Sequence, residues 1–138
     1  MTGTGKISTF GGPADLGVAP EEGLALVNPR DLADPWFMGL FLKANPRGTS
    51  GLARRLDPTQ FYCACRWAYK ETPKELLRRA FLQVSCRGKV ALCRPVDWGP
   101  HVRTSRIVDV SPGVMAWLGA TTDDVVEIRL LTLQEPLA

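Results

Sequence analysis

Apolar positions along this chain switch between two spacings, and the switches mark out its elements. Residues 5–10 alternate and predict a strand that Gly11-Gly12-Pro13-Ala14-Asp15 ends. Leu16 to Gly23 is turn-rich. The fully apolar Leu24-Ala25-Leu26-Val27 predicts a short buried strand. Gln60 to Tyr69 is aromatic and β-prone and predicts an internal strand. Phe81–Cys86 and Lys89–Pro95 flank Arg87-Gly88 and predict a hairpin. A tight turn at Asp97-Trp98-Gly99-Pro100 then leads to a strand over Ser105–Val110.

Two helices punctuate these strands. Thr72-Pro73-Lys74-Glu75 has the form of a capping box with proline at the first helical position, and Leu76, Leu77 and Ala80 give the helix an apolar side. Arg78 and Arg79 near its end suit the helix dipole. Ser111 caps a second helix that starts at Pro112, buries Val114, Met115 and Leu118, and stops at Gly119. Between Asn28 and Asp57, prolines 29, 35 and 46 and glycines 39, 48 and 51 predict an irregular insertion. Its apolar knot, Trp36 to Leu42, is expected either to close one end of the fold or, if exposed, to mark a partner surface. With no repeat, low-complexity tract or second linker, residues 1–138 read as one domain.

Composition adds bounds. The chain has 138 residues, 45% hydrophobic and 22% charged, enough for a real core. No apolar run is long enough to span a membrane. Met1 to Lys6 lacks a basic start followed by an apolar run, so no secretory signal is expected. Such a chain, made in the cytoplasm, would reach a cell wall only by lysis, a specialised export machine or a virus particle.

The net charge of +3 is uneven. Residues 1–46 hold 3 basic and 5 acidic side chains, residues 47–106 hold 13 and 4, and residues 107–138 hold 1 and 5. The middle is a candidate surface for phosphate, anionic wall polymer or an acidic partner; the opposing reading is a solvated face among acidic flanks. No recognisable nucleic-acid module accompanies it, so nucleic acid is not an expected partner. Cys63 and Cys65 share a strand face, and the hairpin register separates Cys86 from Cys93. Buried thiols are the expectation, with a disulfide between the two pairs left open. Cys-x-Cys with a lone His101 makes no metal site, and no cofactor motif appears.

Val96-Asp97-Trp98-Gly99-Pro100, then Arg106-Ile107-Val108-Asp109-Val110-Ser111 and a short helix, resembles the core of double-psi β-barrel domains of the rare lipoprotein A type. That core reads roughly N-D-R-G-P, a spacer, then R-I-I-D-L-S. Asp123 to Leu130 resembles the closing strand of the family, and Gly5 to Gly11, more loosely, its opening strand. The resemblance covers about the last third of the chain. It implies a mainly β fold, a six-stranded double-psi β-barrel with two short helices and an irregular insertion at about 28–58. Expansins, barwin-like proteins and some glycosidases share this barrel, so activity follows less directly than fold. The family's Thr-Ala-Ser-Gly-Glu and Ala-Ala-His segments have no counterpart here; the nearest glutamates are Glu21 and Glu22.

The same resemblance implies a peptidoglycan-active protein, of the lytic transglycosylase type. Glycosidic cleavage needs an acid for the departing oxygen, and a transglycosylase lets the sugar's own hydroxyl attack. Asp109, matching the family's strand-end aspartate, is the first candidate for that acid and Asp97 the second carboxylate. Trp98 is a candidate to stack on a sugar ring and Arg106 to contact a glycan carboxylate, with His101 and Glu22 as further binding residues. The competing structural reading has Asp97 bonding its own turn, and Asp109 capping the helix or pairing with Arg106. The alternative function is a non-catalytic binding or structural module, in contact with other proteins of a virus particle or secretion assembly.

Overall fold

The computed structural model describes residues 1–132. Its strands are β1 (Thr2–Thr9), β2 (Tyr62–Cys65), β3 (Phe81–Cys86), β4 (Lys89–Asp97), β5 (Arg106–Val110) and β6 (Val125–Leu131). They close into a barrel in the order β1-β5-β2-β4-β3-β6, with β6 returning to β1. β1/β5 and β2/β4 are parallel, and the other neighbours are antiparallel. Two parallel pairs joined side by side through β2 and β5 are the pairing of the expected double-psi barrel.

Local chemistry explains the elements nearest the site. The β3–β4 hairpin turns on Arg87 (φ 46°) and Gly88 (φ 84°), the two consecutive positive φ values that a two-residue turn between twisted strands requires. Helix α4 (Pro112–Leu118) follows β5 directly. Buried Ser111 Oγ accepts from Val114 N at 3.2 Å, Pro112 begins the helix, and Gly119 ends it in a left-handed conformation. Ser111→Ala would remove that side-chain bond and leave Val114 N only its 3.1 Å bond to the Ser111 carbonyl. We expect a loss of about 1–2 kcal/mol in urea denaturation, and an unchanged midpoint would show that the cap contributes nothing.

Other elements depart from expectation. β1 begins at Thr2, earlier than the alternation suggests, because it pairs with β6 from Thr2 onward. β2 is shorter than predicted, and residues 66–69 leave the sheet. Leu24–Val27 is no strand, although Leu26 and Val27 are buried and Leu26 N donates to Val96 O at 3.1 Å. The capping box does not form either. Helix α3 (Lys74–Leu77) has Pro73 at its N-cap and no side-chain cap, because buried Thr72 lies one residue too early.

The insertion is irregular but not featureless. It carries a 3-10 turn (Pro29–Ala33) and the short helices α1 (Pro35–Met38) and α2 (Leu52–Arg55). The Trp36–Leu42 knot mostly turns inward. Phe37, Leu40 and Phe41 join Leu26, Leu52, Leu56, Tyr62, Trp67, Leu77 and Val96 in a second apolar cluster against the barrel. Inside the barrel lie Ile7, Leu82, Val84, Val108, Val110, Val114, Val126 and all four cysteines, which are buried and free. Burial, with Cys65 and Cys93 alongside, pushes the Cys63 thiol up, and all four side chains serve as packing groups in the core.

The basic middle is largely committed to internal bonds. Arg54 donates to Val18 O, Arg55 to Leu42 O and Lys43 O, and Arg94 to Trp36 O. Arg78 and Arg79 pair with Asp31 and Asp34, both at 2.6 Å, rather than serving only their own helix dipole. Arg78, Arg79 and Arg94 tie the insertion to α3 and β4, while Arg54 and Arg55 brace it from within and against the 16–23 loop, since five fixed donors can satisfy loop carbonyls that no strand reaches. The expected positive surface is reduced to match.

Candidate active site

One row of four residues runs across four adjacent strands. Ser8 of β1 pairs with Asp109 of β5, Asp109 with Ala64 of β2, and Ala64 with Asp97 of β4. Residues opposite each other in a ladder point to the same face, so the two carboxylates flank the small methyl of Ala64. Two strand spacings separate their Cα atoms by about 10 Å. All four residues line an open groove of roughly 480 Å3. Glu22, Trp98, His101 and Arg106 line the same groove, so the structure gathers all six candidate residues in one place.

The two aspartates differ in what holds them. Asp97 Oδ1 accepts from Ala25 N and Trp98 N, each at 2.9 Å, which is the turn-stabilising arrangement. Burial raises its pKa, those two amides oppose the rise, and Glu22 adds to it. No described residue donates a hydrogen bond to the Asp109 carboxyl. Burial pushes it up to about 6; Arg106 and Arg66 pull it down, while Asp97 and Asp15 add to the rise. It neither caps the helix, a task Ser111 performs, nor pairs with Arg106. A half-buried, unbonded carboxyl with raised proton affinity is the form a general acid takes.

Arg106 is already engaged. Its Nε donates to Asp123 Oδ1 at 2.9 Å, so a glycan carboxylate would have to compete with that pair. His101 Nδ1 accepts from Arg103 N at 3.1 Å and starts the 3-10 turn Val102–Thr104. Glu22 is exposed on the groove wall. The Trp98 indole is 43% exposed, and its Nε1 donates to Trp67 O at 3.4 Å.

Two residues that shape the groove escaped the sequence reading, Asp15 on its wall and Arg66 behind its loop. Asp15 closes the Gly-rich loop by accepting from Gly11 N at 2.6 Å and Gly17 N at 2.9 Å. Its place after Gly-Gly-Pro-Ala and before Leu-Gly was a usable signal, since aspartate bonds its own turn backbone. Arg66 Nη1 donates to Pro100 O at 2.7 Å and Arg106 O at 2.9 Å, tying the 98–105 loop to β5. Nothing local marks Arg66 for that task. Beyond Thr9, Phe10 and Asp15 a second, mainly apolar pocket of about 410 Å3 opens between Pro13, Pro58 and Pro112. Among the described residues no cluster of ligating side chains could hold a metal ion, and no helix is long and apolar enough to cross a membrane.

No protein-family model matches the chain, and no curated protein matches it in sequence. Among solved structures, the Streptomyces papain inhibitor superposes with a TM-score of 0.51, covering 95% of this chain and 94% of that one at 16% identity. At that identity the likeness concerns the fold alone.

Proposed function

We propose that this barrel cleaves the glycan strands of peptidoglycan, as a lytic transglycosylase does, with Asp109 as the acid. The observation that carries this reading is the Asp109 carboxyl, half-buried in an open groove, unbonded and pushed up to about 6. In its protonated form it gives a proton to the departing glycosidic oxygen as the C1–O bond breaks. The anionic carboxylate then takes the proton of the sugar's own 6-hydroxyl as that oxygen closes on C1, which leaves an anhydro-ended strand. Asp97, held by two backbone amides, faces the developing positive charge and raises the proton affinity of Asp109. Trp98 stacks on a ring beside the cleaved bond.

Intact sacculi incubated with the wild type should release anhydro-ended fragments detectable by mass spectrometry. Asp109→Asn should release at least a hundredfold less. Release by the wild type should fall about tenfold per pH unit above 6, because the proton to be donated is lost there. Equal release by both proteins would sink the assignment of Asp109, and no release by a folded wild type would sink the cleavage reading.

A second reading, a non-catalytic binding module, is favoured by one observation. Asp97, the would-be partner carboxylate, is bonded as a turn aspartate, so only one free carboxyl faces the groove row. The structural neighbour named for papain inhibition is a binding protein on a similar barrel. Reaching a cell wall would require lysis, export or carriage in a virus particle under the first reading; the second would place partners within such an assembly.

A further inference from the structure

We infer that Tyr69 forms a second stacking position beyond Trp98, so that the groove binds a run of several sugar rings and not one ring at the point of cleavage. This deepens the glycan reading and rests on it. Tyr69 lies in the segment that leaves the sheet after β2, and it is 61% exposed although nothing in its sequence surroundings demands an aromatic there. Its ring is not loose. It meets the buried Trp67 ring edge-on at 5.5 Å, and Trp98 meets that same ring edge-on at 6.4 Å. Trp67, only 7% exposed, therefore anchors two exposed aromatic rings.

Exposed rings held by a buried one are already ordered before any ligand arrives. Binding to them costs little side-chain entropy, which is the condition under which stacking yields affinity. The groove that Trp98 lines argues for sugar over an apolar partner. It is lined by Ser8, Thr9, Thr104 and carboxylates, groups that meet hydroxyls, whereas the mainly apolar pocket lies on the other side of Phe10. A pyranose offers both faces that this arrangement needs, C–H groups for the rings and hydroxyls for the polar wall. Asp109 and Trp98 line the groove, and Tyr69 is joined to Trp98 through the Trp67 ring, so the extra subsite would extend the site from its Trp98 end.

The test is calorimetric binding of chito-oligosaccharides from two to six rings to the wild type, Tyr69→Ala, Tyr69→Phe and Trp98→Ala. Wild-type affinity should rise with length. Tyr69→Ala should lose about tenfold for the longest chain and nothing for the shortest, while Tyr69→Phe binds as the wild type does, since stacking needs the ring and not the hydroxyl. Trp98→Ala should weaken every length. Length-independent wild-type binding, no binding at all, or a Tyr69→Ala variant that binds all lengths normally would overturn the inference. An unchanged melting temperature separates lost stacking from lost folding. Release from sacculi is measured separately, so the extra subsite can fail while cleavage stands.

Discussion

Asp109→Asn is expected to be more stable than the wild type at pH 7.5, by about 1–2 kcal/mol, and no more stable at pH 4. In the folded chain the Asp109 carboxyl keeps its proton up to about 6, against an ordinary value of 3.8. A group whose pKa is raised by folding supports the fold below its unfolded pKa and loses that support as pH climbs through the folded one. The loss falls between about pH 4 and pH 6. A shift of that size corresponds to at most about 3 kcal/mol, and access to solvent lowers it toward the figure above. Asparagine has nearly the same shape and no charge to bury, so it removes the penalty at neutral pH. Urea melts of both proteins at the two pH values decide the matter. A variant less stable at pH 7.5 would mean that the carboxylate serves the fold, and the structural reading of Asp109 would prevail. The opposite result fits a chain that gives up stability to keep an uncompensated acid in an open groove.

Gly51→Ala should be the most damaging single methyl added near the site. Gly51 has an ordinary backbone conformation, φ −89° and ψ 156°, so its requirement is space and not dihedral freedom. An added Cβ would lie 2.5 Å from the Glu21 carbonyl carbon and closer still to the Glu22 carbonyl oxygen. Backbone cannot swing aside as a side chain does. Segment 20–22 is held there by Ser50 N and Gly51 N, both bonded to Pro20 O, and by Ala53 N bonded to Glu22 O. Relieving the overlap breaks these bonds and carries Glu22 off the groove wall. We expect a loss of about 3 kcal/mol, or about 10 °C in Tm. A Tm within a degree of the wild type would show that this wall of the groove yields freely.

What could be read in advance was what three or four adjacent residues decide. Arg87-Gly88 fixed a turn, Ser111-Pro112 a helix start, and the Ile107–Ser111 pattern a strand ending beside a cap. Thr72 shows the limit of that reasoning: the capping motif is present, but the helix starts one residue later and the threonine is buried instead. Gathering the six candidate residues required the resemblance, and the reason they converge was not legible. The row through Ser8, Asp109, Ala64 and Asp97 joins strands far apart in sequence, and nothing near Ala64 announces that it must be small to leave room between two carboxylates. Arginines escaped for a related reason. Counted along the chain they look like a charged surface, and only the folded path reveals the loop carbonyls and aspartates that occupy them.

The pairing of β1 sets the order in which this protein can be made. Both neighbours of β1, the strands Arg106–Val110 and Val125–Leu131, are synthesised last. A ribosome adding residues from the N-terminus therefore carries an unpaired β1 until β5 and β6 have emerged, and the barrel closes late through contacts of long sequence separation. An open strand edge kept waiting is a site for pairing with the wrong chain. Thr2-Gly3-Thr4-Gly5-Lys6 is poorly suited to that error, being weakly hydrophobic, rich in glycine and charged at its end. The composition that makes β1 faint as a strand also makes its waiting edge a poor template for the wrong partner.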